Sequence, residues 1–253
     1  MTASTCCIVS FFMDNVALPT VECQRAVVEM FNPSHHPHYQ IKTALTHEQS
    51  IDRFWADNGV PVGALTPDKH RGLIDHDVVL FLDIDCIPLC MGAIDRYLDA
   101  AARGVLIGNI QRSNHIENNE HLFVAPSALA ISRDVFRRLG APSAQSTQRG
   151  DVAEEYTYRA EACGVRVEAF LPLRFDAAPG FSKTDVTPVS HWPLKAGLPH
   201  YGVGTTYGSV ADGDLFYHCF QIFREGNQAR FCEKARSLLS KGPGRAVGLP
   251  QHP

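Results

Sequence analysis

The run Val78–Leu82 (VVLFL) constrains this chain more than any other feature. Five consecutive branched or aromatic side chains leave no polar position on either face. A strand of that kind needs cover on both sides, so the run reads as the interior of a sheet packed between helices. The preceding residues supply suitable partners. Cys6–Phe12 (CCIVSFF) reads as a first buried strand. Val21, Val27, Val28 and Phe31 recur at helical spacing after Pro19 and Thr20. Tyr39–Leu45 reads as a second strand. Thr46 with Gln49 three residues later is a capping-box pattern opening a helix that buries Ile51, Phe54 and Trp55. A short helix is expected at Thr66–Ile74. This alternation implies right-handed βαβ units, so the expected fold class is α/β with a mostly parallel central sheet flanked by helices.

Beyond the run, helices are expected at Ala93–Arg103, Ser132–Leu139 and Glu154–Ala162, and strands at Val105–Ile110, Phe123–Ile131 and Val165–Leu171. Residues 172–213 are rich in Gly, Pro, Ser and Thr without periodicity and read as a lid loop. One domain over residues 1–241 with a disordered tail at 242–253 is the expected organisation. The 253 residues are 45% apolar and 20% charged, which is globular composition, and the net charge of −4 gives no basic excess of the kind that holds phosphate backbones. No apolar run approaches the roughly 20 residues of a membrane span. The first seven residues lack the basic start of a secretory signal, so a cytoplasmic location is expected. The eight cysteines show no paired zinc spacing and read as reduced thiols.

The apolar run ends in Asp83-Ile84-Asp85. On a continuing strand, side chains two apart share a face, so both carboxylates are expected to emerge together. Ligands of open α/β sheets bind outside the carboxyl ends of strands, which is where this pair lies. Paired carboxylates with an open side suit Mg²⁺ or Mn²⁺ completed by a diphosphate. The plainer alternative is a solvated strand end.

These residues, in this order, resemble the GT-A fold glycosyltransferases. The strand Cys6–Phe12, two βα units and an apolar strand ending in Asp83 and Asp85 match that plan. So do Phe123–Pro142 (FVAPSALAISRDVFRRLGAP), Arg149–Val167 (RGDVAEEYTYRAEACGVRV) and Phe216–Ala235 (FYHCFQIFREGNQARFCEKA). The resemblance implies that Asp83 and Asp85 hold a metal on a nucleoside diphosphate sugar, with a UDP-sugar as the first candidate donor. It also implies that His218 completes the metal shell and that Ser10 and Phe11 contact the donor. Residues 1–110 would then form the nucleotide-sugar-binding half and 111–241 the acceptor side. Two departures stand out. Thr43–Asp52 (TALTHEQSID) replaces an acidic nucleoside-binding segment, and the usual position of the base falls on Ala153, flanked by Asp151 and Glu154.

An inverting transfer needs a carboxylate near the acceptor hydroxyl. Asp151, and after it Glu154, are the candidates, at a helix start where carboxylates stay ionised; plain capping is the alternative. His191 and His200 are weaker metal candidates than His218, whose alternative is a core histidine. Asn109–His121 is dense in amides and imidazoles that suit sugar hydroxyls, and Arg224–Arg245 reads as a basic helix face. The acceptor is open among a glycan, a lipid-linked sugar, a protein and a modified DNA base. The rival functions are a haloacid-dehalogenase-like phosphotransferase or phosphatase, a nucleotidyltransferase, and a non-catalytic sugar-nucleotide-binding module. The first would place its nucleophilic Asp near the chain start, and the second would need a Gly-rich basic loop that FFMDNVALP does not provide.

Overall fold

The computed structural model describes residues 4–63, 75–112, 121–176, 192–193, 200–201 and 203–243. The elements in chain order are β1 (Cys6–Phe12), α1 (Leu18–Met30), β2 (His38–Lys42), α2 (His47–Asp57), β3 (Val78–Leu82), β4 (Cys86–Pro88) and α3 (Ala93–Ala102). They continue with β5 (Leu106–Arg112), β6 (Leu122–Ser132), α4 (Arg133–Arg138), α5 (Glu154–Ala162) and β7 (Val167–Phe175). Last come β8 (Trp192–Pro193), β9 (His200–Tyr201), β10 (Val203–Ser209), β11 (Gly213–Cys219) and α6 (Asn227–Lys241). The expected helix at Thr66–Ile74 lies outside the described residues. So do most of the lid loop and residues 244–253 of the tail; the expectation of loop over all of 172–213 is corrected, because Pro172–Phe175 belong to β7, Val203–Ser209 form β10 and Gly213 opens β11, each held by pairing with a neighbouring strand.

The class is mixed α/β. A nine-stranded sheet has the order β2-β1-β3-β6-β5-β7-β10-β11-β4, and β8 and β9 form a separate pair. The expectation of a mostly parallel sheet is corrected. Pairs β1·β2, β1·β3 and β5·β7 are parallel, and the other five neighbouring pairs are antiparallel. The reason lies in the connections. Parallel neighbours need a crossover long enough to hold a helix, whereas β5 and β6 follow one another across the polar 113–121 segment, and β10 and β11 across Val210–Asp212.

Alternation along β1 and β3 sends Ile8, Val78, Leu80 and Leu82 to the α3 face, where Tyr97 and Leu98 pack. Cys7, Val9, Phe11, Val79 and Phe81 go to the opposite face, under α2, α4 and α5. The fully apolar run is therefore covered on both sides, as its composition requires. Trp55 stacks on Phe136 there, with ring centroids 4.2 Å apart. A third cluster joins Val21 and Val27 of α1, and Phe31 just past its end, to Ile84, Ile87, Tyr217 and Phe231. All eight cysteines are free, and five are buried.

Strands β3 and β4 are joined by only Asp83–Asp85, yet β4 stands six places from β3 in the sheet order. In a flat sheet six steps would cover about 29 Å, at roughly 4.8 Å per strand. Three linking residues span at most about 14 Å. The sheet must therefore curl until its β11-β4 edge returns to the carboxyl end of β3. That closure positions the site.

Candidate functional site

Strand β3 makes its last pairing at Leu82 with Ala128, and the Asp83 N–H donates to the Ser127 carbonyl at 3.0 Å. The chain then turns: the Cys86 N–H donates to the Asp83 carbonyl at 2.9 Å. Strand β4 pairs antiparallel with β11 in a register that sets Cys86 opposite His218, and the Cys219 N–H donates to the Asp85 carbonyl at 2.9 Å. Asp83 and Asp85 thus converge across a turn, not by the alternation of a continuing strand. The pairing with β11 carries His218 to the same place. One ligand atom from each of Asp83, Asp85 and His218 lies within 4.8 Å of the others. His218 Nε2 is 3.2 Å from Asp85 Oδ1 and 3.6 Å from Asp83 Oδ2.

Sequence reasoning missed His47. It opens α2, held there by the capping box in which the Gln49 N–H donates to Thr46 Oγ1 and the Thr46 N–H donates to Gln49 Oε1. Its Nε2 stands 3.2 Å from Asp83 Oδ1. The available signal was its position just past β2, a strand parallel to β1, at the same carboxyl edge as Asp83.

The electrostatics of this cluster call for added positive charge. Burial, with the Asp85 charge beside it, holds the Asp83 carboxyl above its ordinary value against the opposing pull of His47 and His218. Burial alone would push the His218 imidazole down, but the charge and hydrogen bond of Asp85, together with Asp83, outweigh it and raise its proton affinity. Two carboxylates and one imidazole are also the oxygen and nitrogen donors that hard or borderline divalent cations take. The donor set therefore fits a divalent metal ion. Among the described residues it is the cluster with metal-ligand geometry.

The triad lies in a cleft of about 420 Å³. Phe11, Leu45, Phe123, Phe220 and Ile222 contribute apolar wall, and His47, Gln111, Ser127, Asp151 and Gln221 polar edges. Of the two expected donor contacts on β1, Phe11 lines the cleft. Ser10 faces the other way, fully buried, with its Oγ 3.1 Å from His38 Nε2 and from Gln24 Nε2. His191 lies outside the described residues, and His200 falls in β9, paired with Pro193.

The two acids proposed from the helix start part company. Ala153, the residue before α5, adopts a left-handed φ of 59°. This kink leaves Asp151 at the cleft, where its Oδ1 accepts from the Val152 N–H at 2.8 Å. It turns Glu154 inward to complete burial. There Glu154 Oε1 lies 2.6 Å from His121 Nδ1, and Oε2 accepts from the Asp151 N–H at 2.7 Å. The geometry gives Glu154 a capping and ion-pairing position away from the cleft lining. Glu155 is likewise engaged, by Arg149 and Arg159.

No family model matches this chain, and no curated protein matches it. Among solved structures 28 chains match. One is the crystal structure of A197 from STIV, aligned over 64% of this chain and 80% of that one, at 9% identity and a TM-score of 0.33. A likeness of that strength assigns neither fold family nor function.

Proposed function

We propose that this chain is a metal-dependent glycosyltransferase with a GT-A-like fold over residues 1–241, moving a sugar from a nucleoside diphosphate donor to an acceptor hydroxyl. A UDP-sugar is the first donor to test. Residues 1–110 would serve the donor and 111–241 the acceptor. The observation that carries the reading is the convergence of Asp83, Asp85 and His218, from two separate segments, inside a cleft of nucleotide size. Asp85 and His218, with Asp83 beside them, would hold Mn²⁺ or Mg²⁺. Such an ion would neutralise charge on a departing diphosphate, worth several kcal/mol in comparable sites.

The chain's own residues supply the rest. Phe11, Phe123 and Phe220 exclude water from the reacting groups, which strengthens every charge interaction within. Asp151 accepts the proton of the acceptor hydroxyl in an inverting transfer. It is preferred over Glu154 because it lines the cleft while Glu154 is held by His121.

The test is a thermal-shift screen of nucleotide sugars with and without Mn²⁺, followed by transfer and donor-hydrolysis assays on the hits. A ligand specific to the folded state raises its melting temperature by mass action. Asp151→Asn should keep Mn²⁺ and donor binding but lose about two to four orders of magnitude in turnover. Stabilisation by no nucleotide sugar would defeat the reading. Stabilisation without turnover would make the chain a sugar-nucleotide-binding module.

A further inference from the structure

Gln24 lies in the middle of α1 and is fully buried. Its inward neighbours on the helix are Val21, Val27 and Val28, and a buried carboxamide among them costs about 1–3 kcal/mol unless its polar atoms are paired. They are paired with the turn that carries the two acids. Gln24 Nε2 donates to the Asp83 carbonyl at 2.7 Å and lies 3.3 Å from the Cys86 carbonyl, so one amide reaches both ends of the turn. The same nitrogen is 3.1 Å from Ser10 Oγ.

The amide is itself oriented from behind. Gln24 Oε1 accepts from Gln40 Nε2 at 2.9 Å; that nitrogen also donates to the Val21 carbonyl at 2.9 Å, and Gln40 Oε1 accepts from Arg25 Nε at 2.8 Å. Ser10 Oγ in turn meets His38, whose burial, with Arg25 nearby, lowers its pKa to about 4. His38, Ser10, Gln40 and Gln24 are therefore uncharged at neutral pH, with the Arg25 guanidinium joining at Gln40. Backbone pairing fixes the register of β3 and β4 on either side of the turn. The depth of the turn relative to α1 is set by side chains: Ile84 of the turn packs in the apolar cluster with Val21 and Val27, and Gln24 reaches the turn's carbonyls by hydrogen bonds.

We propose that Gln24 is a positioning residue for the metal site, clamping the carbonyls of Asp83 and Cys86 so that the two carboxylates meet His218, with Ser10 and Gln40 orienting its amide. The inference rests on the metal reading of Asp83, Asp85 and His218. Ligand-supporting groups of this kind commonly change metal affinity by about 10–100-fold.

The experiment uses the full chain and Mn²⁺ alone, followed by calorimetry and by electron paramagnetic resonance of bound Mn²⁺, with metal-free melting as the stability control. Gln24→Met keeps the volume and removes the amide. It should fold with a lowered melting temperature, bind Mn²⁺ about tenfold more weakly and give an altered resonance spectrum. Gln40→Met, at a half-buried position of β2, should shift affinity in the same direction by less. Wild-type affinity and spectrum in a destabilised Gln24→Met protein would overturn the proposal and make Gln24 an ordinary core residue. Should Gln24→Met not fold, unchanged Mn²⁺ affinity in Gln40→Met would overturn it instead. Asp85→Asn separates the two levels: if it binds Mn²⁺ like the wild type, the metal reading itself has failed, whatever the Gln24 variant does.

Discussion

Two acidic regions face each other in the chemistry of this protein, and they are built differently. At the β3–β4 turn, backbone hydrogen bonds to Ser127, Cys86 and Cys219 fix the chain, leaving the carboxylates of Asp83 and Asp85 directed at the cleft beside His218. At the start of α5 the carboxylates themselves do the fixing: Glu154 is spent on His121 and the Asp151 N–H, and Glu155 on Arg149 and Arg159. Acids whose position is set by main chain keep their oxygens at the cleft, here beside the imidazoles of His47 and His218. Acids that set the position of others do not. Asp151 lies between the two cases, holding a neighbouring N–H while still lining the cleft.

The largest expected effect tests the first region. Asp85→Asn should lower Mn²⁺ affinity by at least about a hundredfold, because loss of a ligand exceeds the 10–100-fold typical of outer-shell changes. Calorimetry that finds the affinity intact breaks the contrast at once.

Next comes the second region. Glu154→Ala removes the buried carboxylate that holds the half-buried His121 and the Asp151 N–H, and should cost about 1–3 kcal/mol in urea unfolding, with Mn²⁺ affinity unchanged. A stable variant that had lost metal binding would reverse the two roles.

The pH dependence sharpens the same point with a smaller effect. Burial lowers the proton affinity of His121, but its hydrogen bond to and the charge of Glu154, aided by Glu161, outweigh that and raise it above the ordinary value of 6.5. A folded-state pKa above the unfolded one means that protonation favours folding. The contribution is complete below about pH 6.5 and fades as pH rises through the higher folded value. His218 acts with the same sign, so the informative quantity is the difference between wild type and His121→Asn. Stability measured at pH 6 and pH 8.5 should show a larger drop in wild type. Equal drops would assign the effect to other groups.

The smallest effect belongs to the exposed end of the α5 cluster. Arg149 and Arg159 are more than half exposed at their side chains, so Glu155→Gln should cost less than about 1 kcal/mol. A loss comparable to that of Glu154→Ala would show that the arginine pair, and not burial of Glu154, holds the helix start.

Much of the local structure was legible in the residues. Cys6–Phe12 is a strand with those ends, the Thr46–Gln49 box opens α2, and Ser132 caps α4 by accepting from the Val135 N–H. The partners of these signals lie within a few residues, so chain-local chemistry settles them. Strands β10 and β11 were not legible. Val203–Ser209 (VGTTYGS) has two glycines and four hydroxyl residues, and such a segment becomes a strand only because β7 and β11 flank it. Glu154 shows the same limit at a site: its position in sequence suits a base, but its environment is decided by His121, 33 residues away.

The sequence by itself determined that the run Val78–Leu82 must be buried on both faces and must end in two carboxylates, because hydrophobic burial and the cost of leaving charge in a core act on any fold this chain adopts. Only the tertiary structure decided what those carboxylates meet. The three-residue link to β4 forces the sheet to curl, the curl sets Cys86 opposite His218 across β11, and α1 brings Gln24 beneath the turn. These contacts join residues 59 to 135 positions apart, and their geometry follows from how strands pair and close, which no local pattern of residue types encodes.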